Sequence, residues 1–309
     1  MRIFLAGHKG LVGSAILRKL VRKNYSNIIT AERKKLDLLD QKKTYSFLKK
    51  IKPDYVIIAA ARVGGIKANS NYKSKFIYEN LTIQNNLIHG SYLAKVKNLL
   101  FLGSSCIYPR KSKQPIKEKY ILSGSLEETN DAYAIAKIAG LFMCKFYSEN
   151  YKLNYKSLMP SNMYGPNDNY NLETSHFFPA LIRKSIIGVE KKKKYIYLLG
   201  NGKAKREMLF VDDFADAVIF FLKKKIKEPF LNIGSGKDYS IEWYAKFILK
   251  FLKSNVKIKY IKNTSNGTPR KLLDVSLAKK YGWTSSFSLS KGLKITCEDF
   301  KKNKKTYLQ

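Results

Sequence analysis

The opening of the chain restricts its fold more than any later stretch. Residues 2–6 (Arg-Ile-Phe-Leu-Ala) are a short apolar run of the kind that forms a buried strand. Gly7-His8-Lys9-Gly10-Leu11-Val12-Gly13 follows at once, and a helical pattern then runs over 11–23. A G-x-x-G-x-x-G turn between strand and helix lets the backbone approach a pyrophosphate, which rests on the exposed N–H groups of the helix N-terminus. The other reading is an ordinary tight turn between strand and helix. Strand, glycines and helix all stand in the order a dinucleotide site requires, which favours the site.

The pattern repeats. Strands are predicted at 28–30, 55–61, 99–103 and 155–159, with helices at 42–51, 79–95 and 132–151 between them. The helix at 42–51 has to stop before Pro53. This alternation predicts an α/β fold, a doubly wound parallel Rossmann sheet with right-handed crossovers, over residues 1–165. Regularity weakens beyond 165. Helical patterns near 176–188, 213–225, 241–253 and 290–302, with strands near 195–199, 230–233 and 257–261, predict a smaller mixed α/β substrate lobe over 166–309. Some of its elements are expected to rejoin the sheet.

Composition excludes several classes. No apolar run reaches the roughly 18–20 residues needed to cross a bilayer, and a strand at residues 1–7 leaves no signal peptide before the fold. Three scattered cysteines suit a reducing cytosol better than a disulfide framework. The formal net charge of +36 would attract anionic substrates. Its lysines are spread over the whole chain beside abundant Asn, Ile and Tyr, as compositional drift produces, and no nucleic-acid-binding motif accompanies them. Neither nucleic acid nor membrane is expected as a partner.

The end of the second strand decides between the two nicotinamide dinucleotides. A carboxylate there binds a ribose 2′-hydroxyl, and an arginine accommodates a 2′-phosphate. Both Glu32 and Arg33 are present, and Lys9 in the glycine turn adds a second cation, so NADP(H) is expected. Asp37 is a candidate for the adenine edge or, equally, a turn residue. The small residues of Ala59-Ala60-Ala61-Arg62-Val63-Gly64-Gly65 allow either cofactor approach or simple packing.

Tyr133 and Lys137 lie four residues apart in a helical pattern, on one helix face. A tyrosine with a reference pKa of about 10 is a poor acid or base near neutrality, and a nearby ammonium is expected to lower that value. Ser104 and Ser105 end the fourth strand, at the sheet edge where ligands bind. Serine, tyrosine and lysine together make a site for hydride transfer between carbonyl and alcohol, with Tyr133 as proton donor. A pair exposed on a helix surface is the plain alternative.

These motifs resemble the extended short-chain dehydrogenase/reductase family. Longer strings narrow the resemblance: residues 6–16, Val63-Gly64-Gly65-Ile66, 102–109 (Leu-Gly-Ser-Ser-Cys-Ile-Tyr-Pro), 133–140 (Tyr-Ala-Ile-Ala-Lys-Ile-Ala-Gly) and 267–274 (Gly-Thr-Pro-Arg-Lys-Leu-Leu-Asp). They are similar to members that epimerise and then reduce a nucleotide-linked keto sugar. The resemblance implies conversion of GDP-4-keto-6-deoxy-D-mannose to GDP-L-fucose with NADPH. It implies that Cys106 and His176 move protons at C3 and C5, with the cysteine as thiolate base. It also implies cofactor contacts from the glycine turn, Leu102, Gly103, Ser104, Ser105, Lys137, Pro160, Ser161, Asn162, Met163 and His176. Lys184, Leu199, Arg206 and Asn266 are the implied substrate contacts, Arg206 gripping the diphosphate. Leu199 and Asn266 depart from the family pattern, which has tryptophan and aspartate there. A homodimer packed through the helices at 79–95 and 132–151 is implied as well. A catalytically silent Rossmann protein would be expected to lose Tyr133 or Lys137, and both are present.

Overall fold

The computed structural model describes residues 1–261 and 267–308. The first half alternates strand and helix: β1 (Arg2–Ala6), α1 (Leu11–Arg22), β2 (Asn27–Ile29), α2 (Gln41–Ile51), β3 (Tyr55–Ile58), α3 (Ile66–Asn71), α4 (Lys73–Leu93), β4 (Asn98–Leu102), α5 (Asp131–Tyr151) and β5 (Asn154–Pro160). The second half holds β6 (Asn162–Tyr164), α6 (Phe177–Glu190), β7 (Tyr195–Leu199), β8 (Lys205–Phe210), α7 (Val211–Lys223) and β9 (Phe230–Ile233). It continues with β10 (Asp238–Ser240), α8 (Ile241–Phe251), β11 (Lys257–Ile261), β12 (Arg270–Lys271), α9 (Ser276–Lys280), α10 (Leu289–Lys302) and α11 (Lys304–Leu308).

Six parallel strands form the main sheet in the order β2-β1-β3-β4-β5-β9. Both faces are covered, which explains why its strands are apolar without alternation. On one face Ile3 and Leu5 pack with Ala15 and Ile16 of α1 and Phe214 and Val218 of α7. On the other, Phe4 and Ala6 pack with Leu48 of α2, Leu87 of α4 and Cys144 of α5. A second core, including Tyr164, Phe178, Phe210, Tyr244 and Leu293, fills the smaller lobe around β6, β8 and α6. There β8 pairs with β6, β10 and β12, while β7 pairs with β11. Among the described residues no helix is long and apolar enough to cross a membrane.

Several boundaries differ from the sequence reading. The third strand ends at Ile58 and not at 61: the Ala59 N–H still reaches the Ala6 carbonyl at 3.0 Å, and the chain leaves the ladder beyond it. The helix expected at 79–95 starts at Lys73, where Phe76 is buried edge-on against Tyr133. Strands β6, β8, β10 and β12 and helices α3, α9 and α11 were not apparent in the sequence pattern. In β8 the charges of Arg206 and Glu207 interrupt the apolar signal, although both side chains are buried. Both α7 and β9 return to the main sheet from beyond residue 165.

Candidate active site

Side chains cap α2, α8 and α10: Asp40 accepts the Lys43 N–H at 3.0 Å, Ser240 that of Trp243 at 3.1 Å and Ser288 that of Lys291 at 3.2 Å. Helix α1 has Gly10 at its N-cap, no capping side chain and no acidic residue in its first turn. Its orphan N–H groups and positive end therefore face outward, as an anion requires. Two of the turn's glycines are demanded by the protein itself. Gly7 has φ +88°, and a Cβ there would lie 2.5 Å from the Ala60 nitrogen. A Cβ on Gly13 would lie 2.0 Å from the Gly7 carbonyl oxygen. Gly10 is different, since the nearest atom to its Cβ position is 3.8 Å away. The room it leaves faces solvent and suits a pyrophosphate. The buried Nδ1 of His8 and Oγ of Ser161 also have no partner in the protein. These residues fit a bound dinucleotide.

The cations expected at the 2′-phosphate both carry acids. Lys9 Nζ is 2.7 Å from Glu32 and holds that carboxyl below its usual range. Arg33 Nε donates to Asp37 at 3.3 Å. Asp37 also accepts the Leu39 N–H at 3.1 Å, which is the turn role. Both ion pairs are exposed and weak, so a phosphate dianion can replace either acid.

Ser104 Oγ accepts the Cys106 N–H at 3.2 Å and caps the short turn Ser105–Ile107 that follows β4. Tyr133 and Lys137 project from one face of α5. Lys137 Nζ donates to the Leu102 carbonyl at 2.8 Å and sits 4.7 Å from the Phe101 ring centre and 5.7 Å from that of Tyr133. Burial lowers its pKa to about 7. The Tyr133 phenol is raised well above its ordinary value, first by burial and then by Cys106, against a hydrogen bond with Ser104. The expectation that Lys137 lowers the tyrosine is thus not met. The ammonium is aimed at a backbone carbonyl, and desolvation dominates. A phenol that keeps its proton suits a donor.

Cys106 is half-buried. Its Sγ accepts from Asn130 Nδ2 at 3.4 Å and from Lys271 Nζ at 3.5 Å. His176 caps α6 and is exposed, yet enough protein surrounds it to disfavour the imidazolium, and the charge of Lys271 adds to that effect. Arg206 is only 9% exposed, and burial lowers its pKa against the opposing influence of Cys106 and buried Glu127. Ser104, Cys106, Tyr133, Lys137, His176 and Arg206 thus converge from both lobes. The sequence reading assigned no role to Lys271, Asn130 or Glu127, although Lys271 stands in the Gly267-to-Asp274 string.

The other expected residues make contacts within the protein. Lys184 donates to the Tyr197 carbonyl of β7 at 2.9 Å. Leu199 ends that strand 61% exposed. Asn162 Nδ2 donates to the Glu207 carbonyl, and the neighbouring Pro160, Ser161 and Met163 line the passage from β5 to β6. Asn266 lies outside the described residues.

A glycine cradle beside a Ser–Tyr–Lys set defines a nicotinamide-dependent oxidoreductase, and the chain belongs to the NAD dependent epimerase/dehydratase family, whose model matches residues 3–234. It is 45% identical over 302 residues to GDP-L-fucose synthase 1 of Arabidopsis thaliana, covering 98% of this chain and 94% of that one. Among solved structures it is similar to a GDP-6-OMe-4-keto-L-xylo-heptose reductase from C. jejuni, with TM-score 0.91, 32% identity and 98% of each chain covered. A GDP-L-fucose synthetase from Naegleria fowleri bound to NADP matches with TM-score 0.90 and 25% identity, over 99% of this chain and 94% of that one.

Proposed function

We infer that the protein converts GDP-4-keto-6-deoxy-D-mannose to GDP-L-fucose, by epimerisation at C3 and C5 followed by NADPH-dependent reduction at C4. The observation that carries this reading is the presence of Cys106 and His176 around the same pocket as Ser104, Tyr133 and Lys137. A proton α to the ketone is acidic when the enolate oxygen is stabilised, and Ser104 and Tyr133 are the hydrogen-bonding groups for that oxygen. Cys106 as thiolate takes the proton, and His176 returns one to the opposite face. Bound NADPH supplies the hydride at C4. Tyr133 gives its proton to the C4 oxygen, and Lys137, anchored on the Leu102 carbonyl, stands beside it. Arg206 is the diphosphate contact, with Lys184 and Leu199 in the same lobe; Lys9, Arg33 and Asp37 serve the adenosine end of the cofactor.

A reductase or 4-epimerase of another nucleotide sugar is the competing reading, and it has no use for a cysteine–histidine pair. Mass spectrometry of the sugar after incubation in heavy water, beside an absorbance assay for NADPH, separates the two. Tyr133→Phe is expected to stop NADPH oxidation while leaving deuterium exchange. Cys106→Ser is expected to suppress exchange, since serine is a far weaker base. Wild-type exchange in Cys106→Ser would make the simple reductase the better reading.

A homodimer through α4 and α5 completes the proposal. Tyr78, Ile135 and Phe146 leave apolar surface on these adjacent helices, which a second copy would cover. Sedimentation of a monomer at micromolar concentration would refute it. Three free cysteines suit a reducing cytosol.

A further inference from the structure

We propose that Lys271 is the built-in counter-ion of the Cys106 thiolate and holds that sulfur charged and in place as the epimerase base. The proposal rests on the reading of Cys106 as that base. Lys271 Nζ lies 3.5 Å from Cys106 Sγ, and the side chain is only 9% exposed. Its chain neighbour Arg270 already pairs with Asp238 at 2.6 Å. Among the described residues no carboxylate pairs with Lys271. A buried ammonium is costly without an opposite charge, and the sulfur is the group within its reach that can carry one.

The strand is fixed so that the lysine cannot wander. In β12, Lys271 stands opposite Arg206 of β8 in parallel register. Buried Glu207 accepts the Leu273 N–H at 2.9 Å and the Gly236 N–H at 2.6 Å, which ties this segment to β8. Gln114 accepts the Leu272 N–H at 2.9 Å from the other side. Asn130, just ahead of α5, adds a neutral donor to the sulfur. The remaining charged or titratable groups around the thiol are Tyr133 on α5, Arg206 on β8 and His176 at the head of α6. Burial keeps the tyrosine protonated; it also lowers the pKa of the arginine, whose charge interacts with Cys106 and with Glu127. Lys271 also disfavours the imidazolium of His176. Lys271 therefore meets both members of the pair, the sulfur by contact and the imidazole through its charge. Lys271 is a positioning residue, acting through Cys106.

The test is iodoacetamide alkylation of Cys106 followed by peptide mass spectrometry, between pH 6 and 10, on the full-length protein. Buried Cys144 and Cys297 serve as internal references for unfolding. Removing a cation at this distance is expected to slow alkylation by Lys271→Met about ten-fold or more at pH 7, with the gap closing toward pH 10. Lys271→Arg should keep most of the rate. A Lys271→Met protein that alkylates at the wild-type rate at pH 7, or is slowed equally at every pH, overturns the proposal. If Lys271→Met and Lys271→Gln both fail to fold, the wild type still decides. Its Cys106 should react faster at pH 7 than the same cysteine in the urea-unfolded chain, and an equal or slower rate overturns the pairing. Deuterium exchange reports separately on the epimerase reading. Exchange missing from the wild type defeats that reading with the ion pair intact, whereas unchanged alkylation in Lys271→Met defeats the ion pair with the epimerase reading intact.

Discussion

Replacing Lys137 by methionine should make the protein more stable and less active. The side chain is 3% exposed, and its pKa falls from the usual 10.5 to about 7. At about 1.4 kcal/mol per pH unit, that drop amounts to roughly 5 kcal/mol against the ammonium. The folded value lies below the unfolded one, so between pH 7 and 10.5 the unfolded chain holds the proton more tightly, and stability rises with pH across that window. Below pH 7 the full penalty applies. Methionine removes it, together with the hydrogen bond to Leu102 and the cation over Phe101, which offset about 2–4 kcal/mol of the gain. The expected net effect is a stabilisation of about 1–3 kcal/mol at pH 6 that shrinks with pH and reverses near pH 10. Urea unfolding at pH 6, 8 and 10 measures it. A variant that is less stable than the wild type at pH 6, or whose difference does not change with pH, would falsify the assignment of a penalised charge at this position. Reduction should meanwhile fall by about 100-fold or more, because the group beside Tyr133 is gone.

The two kinds of glycine in the first turn should separate in a thermal-shift experiment. Gly13→Ala forces a Cβ onto the Gly7 carbonyl and should lower the melting temperature sharply, whereas Gly10→Ala should leave it near wild type and weaken NADPH binding instead. Equal melting temperatures for the two would refute the steric argument. Arg33→Ala should reduce the preference for NADPH over NADH about ten-fold or more, measured as the ratio of kcat/KM values; a full preference in the variant would remove Arg33 from the 2′-phosphate. The charge of +36 should give only non-specific, steeply salt-dependent binding to duplex DNA, and a sequence-selective complex at physiological salt would overturn the view of that charge as drift.

What could be read from the sequence was whatever several local signals agreed on. Apolar residues, glycines and helical spacing coincide over the first 23 residues, and β1, its turn and α1 stand where they were expected. The four-residue spacing of Tyr133 and Lys137 likewise needs only α5 to be a helix. The charge state of Lys137 was not legible, because burial and a backbone carbonyl set it and spacing does not. Strand β8 was hidden because Arg206 and Glu207 are charged in sequence but buried in the fold. Lys271 was hidden for another reason: it meets Cys106 across 165 residues of chain, from a strand of two residues that carries no periodic signal.

The way the backbone travels between the two cores has a consequence for anyone who would rebuild this protein. It leaves the main sheet after Pro160 and enters β6 at Asn162, with only Ser161 between, and the Ser161 N–H is itself bonded to the Ile233 carbonyl. It comes back from Phe210 of β8 to Val211 of α7 with no residue to spare, and leaves again after β9. The smaller lobe is therefore not a cassette. No single splice can exchange it, and the junctions at Ser161 and between Phe210 and Val211 fall on backbone at the very ends of strands and helices, while only the short loop 234–237 follows β9. The lobe is best altered by substitution, residue by residue, because the chain crosses between the two cores more than once.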